Sequence, residues 1–146
     1  MSNTFSININ RNVKRIKVND AGEYITMDLD DQEFIHRLTS LIKEFEIAGD
    51  EYLKKSTAIS ELPEGNSSEY AAKVREEAAF NYAACKELKC KIDAAFGDEV
   101  CRKVFGDIVP GITLITQFFQ QLSELLKRFN EEKSTKINKY VSSYTE

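Results

Sequence analysis

The chain has no tryptophan, one histidine, two prolines, six glycines and three cysteines in 146 residues. Each scarcity closes a route. His36 alone, with cysteines at 85, 90 and 101 in no recognised metal spacing, leaves a tetrahedral zinc site short of ligands. An odd number of thiols makes no disulfide framework; the three read as reduced, small packing residues in a reducing cytoplasm. No apolar run approaches the ~20 residues of a membrane span. The opening Met1-Ser-Asn-Thr-Phe-Ser has neither a basic nor an apolar signal region, so no secretory leader is expected. No glycine-rich phosphate loop is present, and no Ser or Cys has an identifiable base beside it.

Net charge is −4, which argues against general nucleic-acid binding because that depends on neutralising phosphates. One basic cluster stands apart: Arg11, Lys14, Arg15 and Lys17, followed by Asp20, Glu23, Asp28, Asp30, Asp31 and Glu33. Opposite charges facing each other across a hairpin account for it without a ligand. RNA or DNA is the weaker reading, since no stacking aromatics interleave with the basic residues. An acidic protein partner is the third.

What is present is periodicity, and it predicts a mainly α fold with a small N-terminal β element. Apolar and polar residues alternate at Phe5, Ile7 and Ile9, at Ile16 and Val18, and at Ile25, Met27 and Leu29. Asn19-Asp20-Ala21-Gly22 supplies turn residues, so the element is expected to be an antiparallel hairpin at about 13–18 and 23–29 or, with 5–9 as a third strand, a three-stranded meander. Asp30 is the expected N-cap of a first long helix, with Asp31 in its first turn and Glu33 in a capping-box position. An EF-hand reading of Asp28, Asp30 and Asp31 lacks the loop glycine and the closing glutamate. The helix carries a seam at Phe34, Leu38, Leu41, Phe45, Ala48 and Tyr52, widened by Ile35 and Ile42.

Residues 60–68 are a loop; the Asn66-Ser-Ser triplet has no meaning without secretion. A second long helix runs from Ser67 or Ser68 to Phe96, with a seam at Val74, Ala78, Asn81, Cys85, Leu88, Ile92 and Ala95, and many alanines that allow close approach. The two helices form an antiparallel α-hairpin. Asn81 either fixes its register or faces water.

Phe96-Gly97-Asp98 then recurs nine residues on as Phe105-Gly106-Asp107. Each copy reads as a joint in which glycine ends one helix in a left-handed conformation and aspartate caps the next. A short helix, Glu99 to Phe105, lies between them. After Pro110-Gly111 comes a last long helix with Ile115, Phe118, Phe119, Leu122, Leu125, Leu126 and Phe129 on one face. Residues 130–136 are wholly polar; Ile137, Tyr140, Val141 and Tyr144 then restart the stripe. This restart is either a helix end packed on the sheet or a stripe left bare for a partner. These four, with Phe119, are the candidate partner contacts. The organisation is a single domain over 1–146, with a hairpin subregion at 1–29, a helical core at 30–130 and a polar C-terminal helix end at 131–146.

Nothing nominates catalysis. His36 lies off the first helix's seam and reads as a solvated surface residue. Glu76-Glu77 and Glu131-Glu132 are adjacent helix positions that diverge by about 100° and read as solvated faces. No catalytic, cofactor or metal residue is expected.

The hairpin end Tyr24-Ile-Thr-Met-Asp-Leu-Asp-Asp and the run Ile92-Asp-Ala-Ala-Phe-Gly-Asp-Glu-Val-Cys-Arg-Lys-Val-Phe-Gly-Asp carry a family resemblance. The run resembles the I-D-x-x-F-G-[DE]-G-T … V-F-G stretch of small tail-assembly chaperones of tailed phages and prophages of Gram-positive bacteria, with Val100 in place of a small polar residue. An apolar helix and a Lys/Tyr-rich tail follow, as in that family. The resemblance implies a non-enzymatic protein of the host bacterial cytoplasm that coats the tape-measure protein and recruits tail-tube subunits. It implies absence from the finished virion and, in many relatives, a longer frameshifted form. It brings no cofactor and no membrane partner, and leaves a second copy of the chain open as a partner. A structural virion component (tail-completion or connector protein) and a small helical regulatory or adaptor protein remain the alternatives.

Overall fold

A computed structural model describes residues 3–61, 67–97 and 99–145, with side chains as far as Ser142. The elements are β1 (Val13–Lys17), β2 (Tyr24–Asp28), α1 (Gln32–Ser60), α2 (Ser67–Phe96), α3 (Val100–Phe105) and α4 (Ile112–Thr145). The fold is mainly helical with an N-terminal antiparallel hairpin, as the periodicity indicates. The chain divides into two compact units, Met1–Pro110 and Gly111–Glu146.

In the first unit, β1 pairs β2 with Ile16 opposite Ile25 and Lys14 opposite Met27. The connection closes through Val18 N–H to the Glu23 carbonyl (3.0 Å) and Gly22 N–H to the Asn19 carbonyl (3.3 Å). Gly22 sits at φ +83°, a conformation that favours glycine. The Asn19 side chain locks the turn by accepting the Glu23 N–H at 3.1 Å. Ile25 and Met27 on the inner face of β2, and Leu29 just after it, are buried.

The expected third strand does not form. Residues 5–9 belong to no strand, and the sheet among the described residues has two. The reason is local. Arg11 pairs with Asp28, and the Asn12 carbonyl accepts the Leu29 N–H at 3.0 Å, so the chain before β1 continues along β2 instead of turning back.

The helix start is displaced by one residue from expectation. Asp31, not Asp30, is the N-cap of α1, its carboxylate accepting the Glu33 N–H at 3.0 Å. Glu33 is therefore the second helical residue, and no capping box forms. Asp30 is taken up elsewhere: its N–H bonds to the Asp28 carboxylate at 3.1 Å, and its own carboxylate accepts the Asn12 N–H.

α1 and α2 pair antiparallel. Phe34 meets Phe96 edge to face at 5.6 Å, Glu44 pairs with Lys91 at 3.1 Å, and Lys55 covers the Phe80 ring at 4.7 Å. Each cross-helix pair advances along α1 as it retreats along α2. Burial occupies only half of the two expected seams. Phe34, Leu38 and Leu41 are buried on α1, and Cys85, Leu88, Ile92 and Ala95 on α2. Phe45, Ala48, Tyr52 and Asn81 are half-buried, while Val74 and Ala78 are exposed. Periodicity marks a face, but only the hairpin's base has the sheet and α3 beside it to exclude water; α2 contacts both β2 and α3.

The two glycine joints occur as expected, with Gly97 at φ +72° and Gly106 at φ +84°. The aspartate of the second joint does not act as expected. Asp98 lies outside the described residues, as does most of the loop with Asn66. Glu99 is the N-cap of α3 and makes no side-chain cap bond. The capping carboxylate is Asp93 of α2, which accepts the Cys101 N–H at 2.9 Å. Asp107 is not an N-cap either, because α4 begins only at Ile112. Pro110 lies between them; it is buried and biases the preceding residue away from helical geometry.

In the second unit, α4 runs without a break through the polar stretch to Thr145. Ile115, Phe119 and Leu122 are buried; Phe118, Leu125, Leu126 and Phe129 are half-buried. Every residue from 130 to 142 is exposed.

Candidate functional site

Two kinds of place could carry function: the corner built by the Phe-Gly-Asp run, and the apolar surfaces left in solvent. The corner is made of contacts between distant parts of the chain. Asn19, in the hairpin turn, donates to the Lys103 carbonyl at 3.0 Å, and the Lys103 ammonium donates to the Tyr24 carbonyl at 3.3 Å. Arg102 bridges Glu23 and Glu99, each at 3.0 Å. The Arg102 guanidinium holds the Glu23 carboxyl below the usual carboxylate range, helped by Asn19, and the two glutamates raise Arg102 in return. Arg102 and Glu99 are exposed and Glu23, Asn19 and Lys103 half-buried, so water screens these charges. They join hairpin to short helix.

Behind them lie two buried thiols, Cys85 and Cys101. Burial first, and then Asp93, push Cys101 up to about 12, and burial raises Cys85. A thiol held protonated is a poor nucleophile. Cys101 donates to the Lys89 carbonyl at 3.5 Å and packs as a small apolar residue. Cys90 is exposed, and all three are free.

Two residues of the basic cluster find partners within its own hairpin. Arg11 pairs with Asp28, and the Arg15 guanidinium lies 4.3 Å from the Tyr24 ring centre. Cross-strand charge pairing thus explains Arg11, whereas register places Lys14 opposite Met27 and Arg15 opposite Thr26. His36 is exposed, as expected. A shallow open hollow at the far end of the α-hairpin is lined by Lys55, Ala58, Ile59, Lys73, Glu76 and Glu77. Its charges are partly matched, Lys73 to Glu76 at 3.6 Å. Among the described residues no three His, Cys, Asp or Glu side chains are grouped to hold a metal ion, and no helix is long and apolar enough to cross a membrane.

Of the candidate partner contacts, Ile137, Tyr140 and Val141 are exposed, Tyr140 at 66%. The Tyr144 side chain lies outside the described residues. Phe119 is placed differently from the other three: it is 3% exposed and stacked edge-on against Phe118. Two exposed apolar groups were not foreseen. One is the outer half of the α-hairpin, with Ile47, Leu53, Tyr70, Val74 and Tyr82. The other is the N-terminal arm, with Phe5, Ile7 and Ile9 at 90%, 88% and 83% exposure. The alternation of the arm is visible in the sequence; that it finds no neighbour is not. Asp93, Asn19 and Arg102 were missed as corner residues because their partners lie in other elements.

These features define a mainly helical protein with an N-terminal hairpin that, among the described residues, exposes apolar side chains on its long helices and its N-terminal arm. The chain belongs to a family of unknown function, DUF6673, whose model matches residues 21–146. No curated protein and no solved structure matches it.

Proposed function

We propose that this chain is a non-enzymatic protein of phage or prophage tail assembly, acting in the host cytoplasm by binding the tape-measure protein and tail-tube subunits. The observation that carries the reading is the resemblance of the Ile92–Asp107 run to that of small tail-assembly chaperones. Support comes from the exposed helical strip of Ile137, Tyr140 and Val141 and from the apolar outer half of the α-hairpin. Amphipathic helices of a tape-measure protein would lie along such strips in the helix-in-groove manner. The test is co-expression of the tagged chain with the tape-measure protein encoded beside it. A co-purifying complex is expected, lost in an Ile137→Ser/Tyr140→Ser/Val141→Ser variant that keeps its helical circular dichroism, together with absence of the chain from purified particles. Abundant chain in purified particles would instead make it a tail-completion or connector component. No complex with either tail protein would sink the proposal.

A further inference from the structure

The N-terminal arm has the period of a strand and no sheet to join. Phe5, Ile7 and Ile9 stand on one face and Ser6 and Asn8 on the other, yet the three apolar side chains are almost wholly in solvent. A two-stranded sheet is marginal alone and offers two edges. Here the edges are unequal. The Leu29 N–H to Asn12 carbonyl and Val18 N–H to Glu23 carbonyl bonds set the alternation of the ladder. Asn12, Lys14, Ile16 and Val18 turn their backbone groups to β2, so Val13, Arg15 and Lys17 turn theirs outward. On the β2 side, the outward Tyr24 carbonyl accepts Lys103 and the outward Asp28 carbonyl accepts the Asp31 N–H at 3.3 Å. The open edge is β1.

The arm of the same chain is poorly placed to reach it. Pairing Asn10 with Val13 would put Arg11 and Asn12 in a two-residue hairpin loop, whose favoured forms need positive φ. No described residue other than glycine has positive φ, and Arg11 and Asn12 are held in extended continuation of β1 by Asp28, Leu29 and Asp30. Direct pairing of two β1 edges is also disfavoured, since it sets Lys14, Arg15 and Lys17 of one copy against those of the other. The arm carries no charge from residue 2 to residue 10.

We propose that residues 5–9 of one copy add as an antiparallel third strand to the β1 edge of a second copy, and that the exchange is reciprocal. One register satisfies both backbone and side chains: Phe5 opposite Val18, Ile7 opposite Ile16 and Ile9 opposite Lys14. Ser6 and Asn8 then bond to the outward groups of Lys17 and Arg15. The apolar face of the arm extends the layer of Ile16, Ile25 and Met27 rather than the charged outer face, because a shift by one residue would reverse it. Since each copy holds one donor and one acceptor, two copies close the exchange. The inference is independent of the tail-assembly reading; arm and β1 both lie before the family match at residue 21.

Sedimentation velocity of the full chain over a concentration series tests it. The wild type should run as a dimer and Ile7→Pro as a monomer with the same helical circular dichroism. In a Cys90→Ser background, mild oxidation of Ile7→Cys chains mixed with Ile16→Cys chains should link unlike chains. A wild type that is monomeric throughout, or a dimer that survives Ile7→Pro, overturns the proposal. So does a disulfide formed by Ile7→Cys alone as readily as in the mixture, which would mean that arms pair with arms.

Discussion

At the scale of single residues, the corner depends on side chains that do another element's work. Asp93 belongs to α2 but caps α3 through the Cys101 N–H. Asp93→Ala should lower stability by about 0.5–2 kcal/mol, the usual cost of losing a cap. A urea titration should show a lower midpoint with unchanged slope, and Asp93→Asn should recover most of the loss. Glu23 gives a pH signature. Its carboxyl is held below its ordinary value by Arg102 and then Asn19, so its contribution is present above the unfolded-state value and is lost as pH falls through the carboxylate range. Melting temperature followed downward from neutral pH should therefore fall less steeply in Glu23→Gln than in the wild type. Glu23 was legible as a charge near a turn. Its partner was not, because Arg102 is 79 residues away.

At the scale of elements, the helices were legible almost to their ends because apolar periodicity and capping residues are local signals. How far burial extends along a seam is a different matter. Ile92 and Val74 occupy equivalent seam positions on α2, yet Ile92 is fully buried and Val74 is exposed. Ile92→Ala should cost about 2–5 kcal/mol by chemical denaturation, as for other core truncations. Val74→Ala should stay within about 0.5 kcal/mol of the wild type in the same assay. Equal effects would mean that the outer half of the α-hairpin is as well packed as its base. The strand signal at 5–9 has the same character. Alternation states which side chains share a face; whether a ladder forms depends on a free edge within reach.

At the scale of the whole molecule, the long C-terminal helix has buried side chains only in its first part among the described residues, and those from 130 to 142 are all exposed. Removing everything after Asn130 should leave the melting temperature of the remainder unchanged, because every side chain from 131 to 142 is exposed. A truncated chain that fails to fold would show that this segment contributes to a core. The sequence by itself determined the class of fold, the order of its elements and the two glycine corners. Each of these follows from spacing and conformational preference within a few residues. Only the tertiary structure decided that Asp93 of the preceding helix caps the short helix, that the outer half of each seam is incompletely buried, that Phe119 is buried while Tyr140 is not, and that the N-terminal arm is unpaired. The physical reason is common to all four: hydrogen bonding and the exclusion of water depend on what the rest of the chain brings alongside, and no local pattern encodes that.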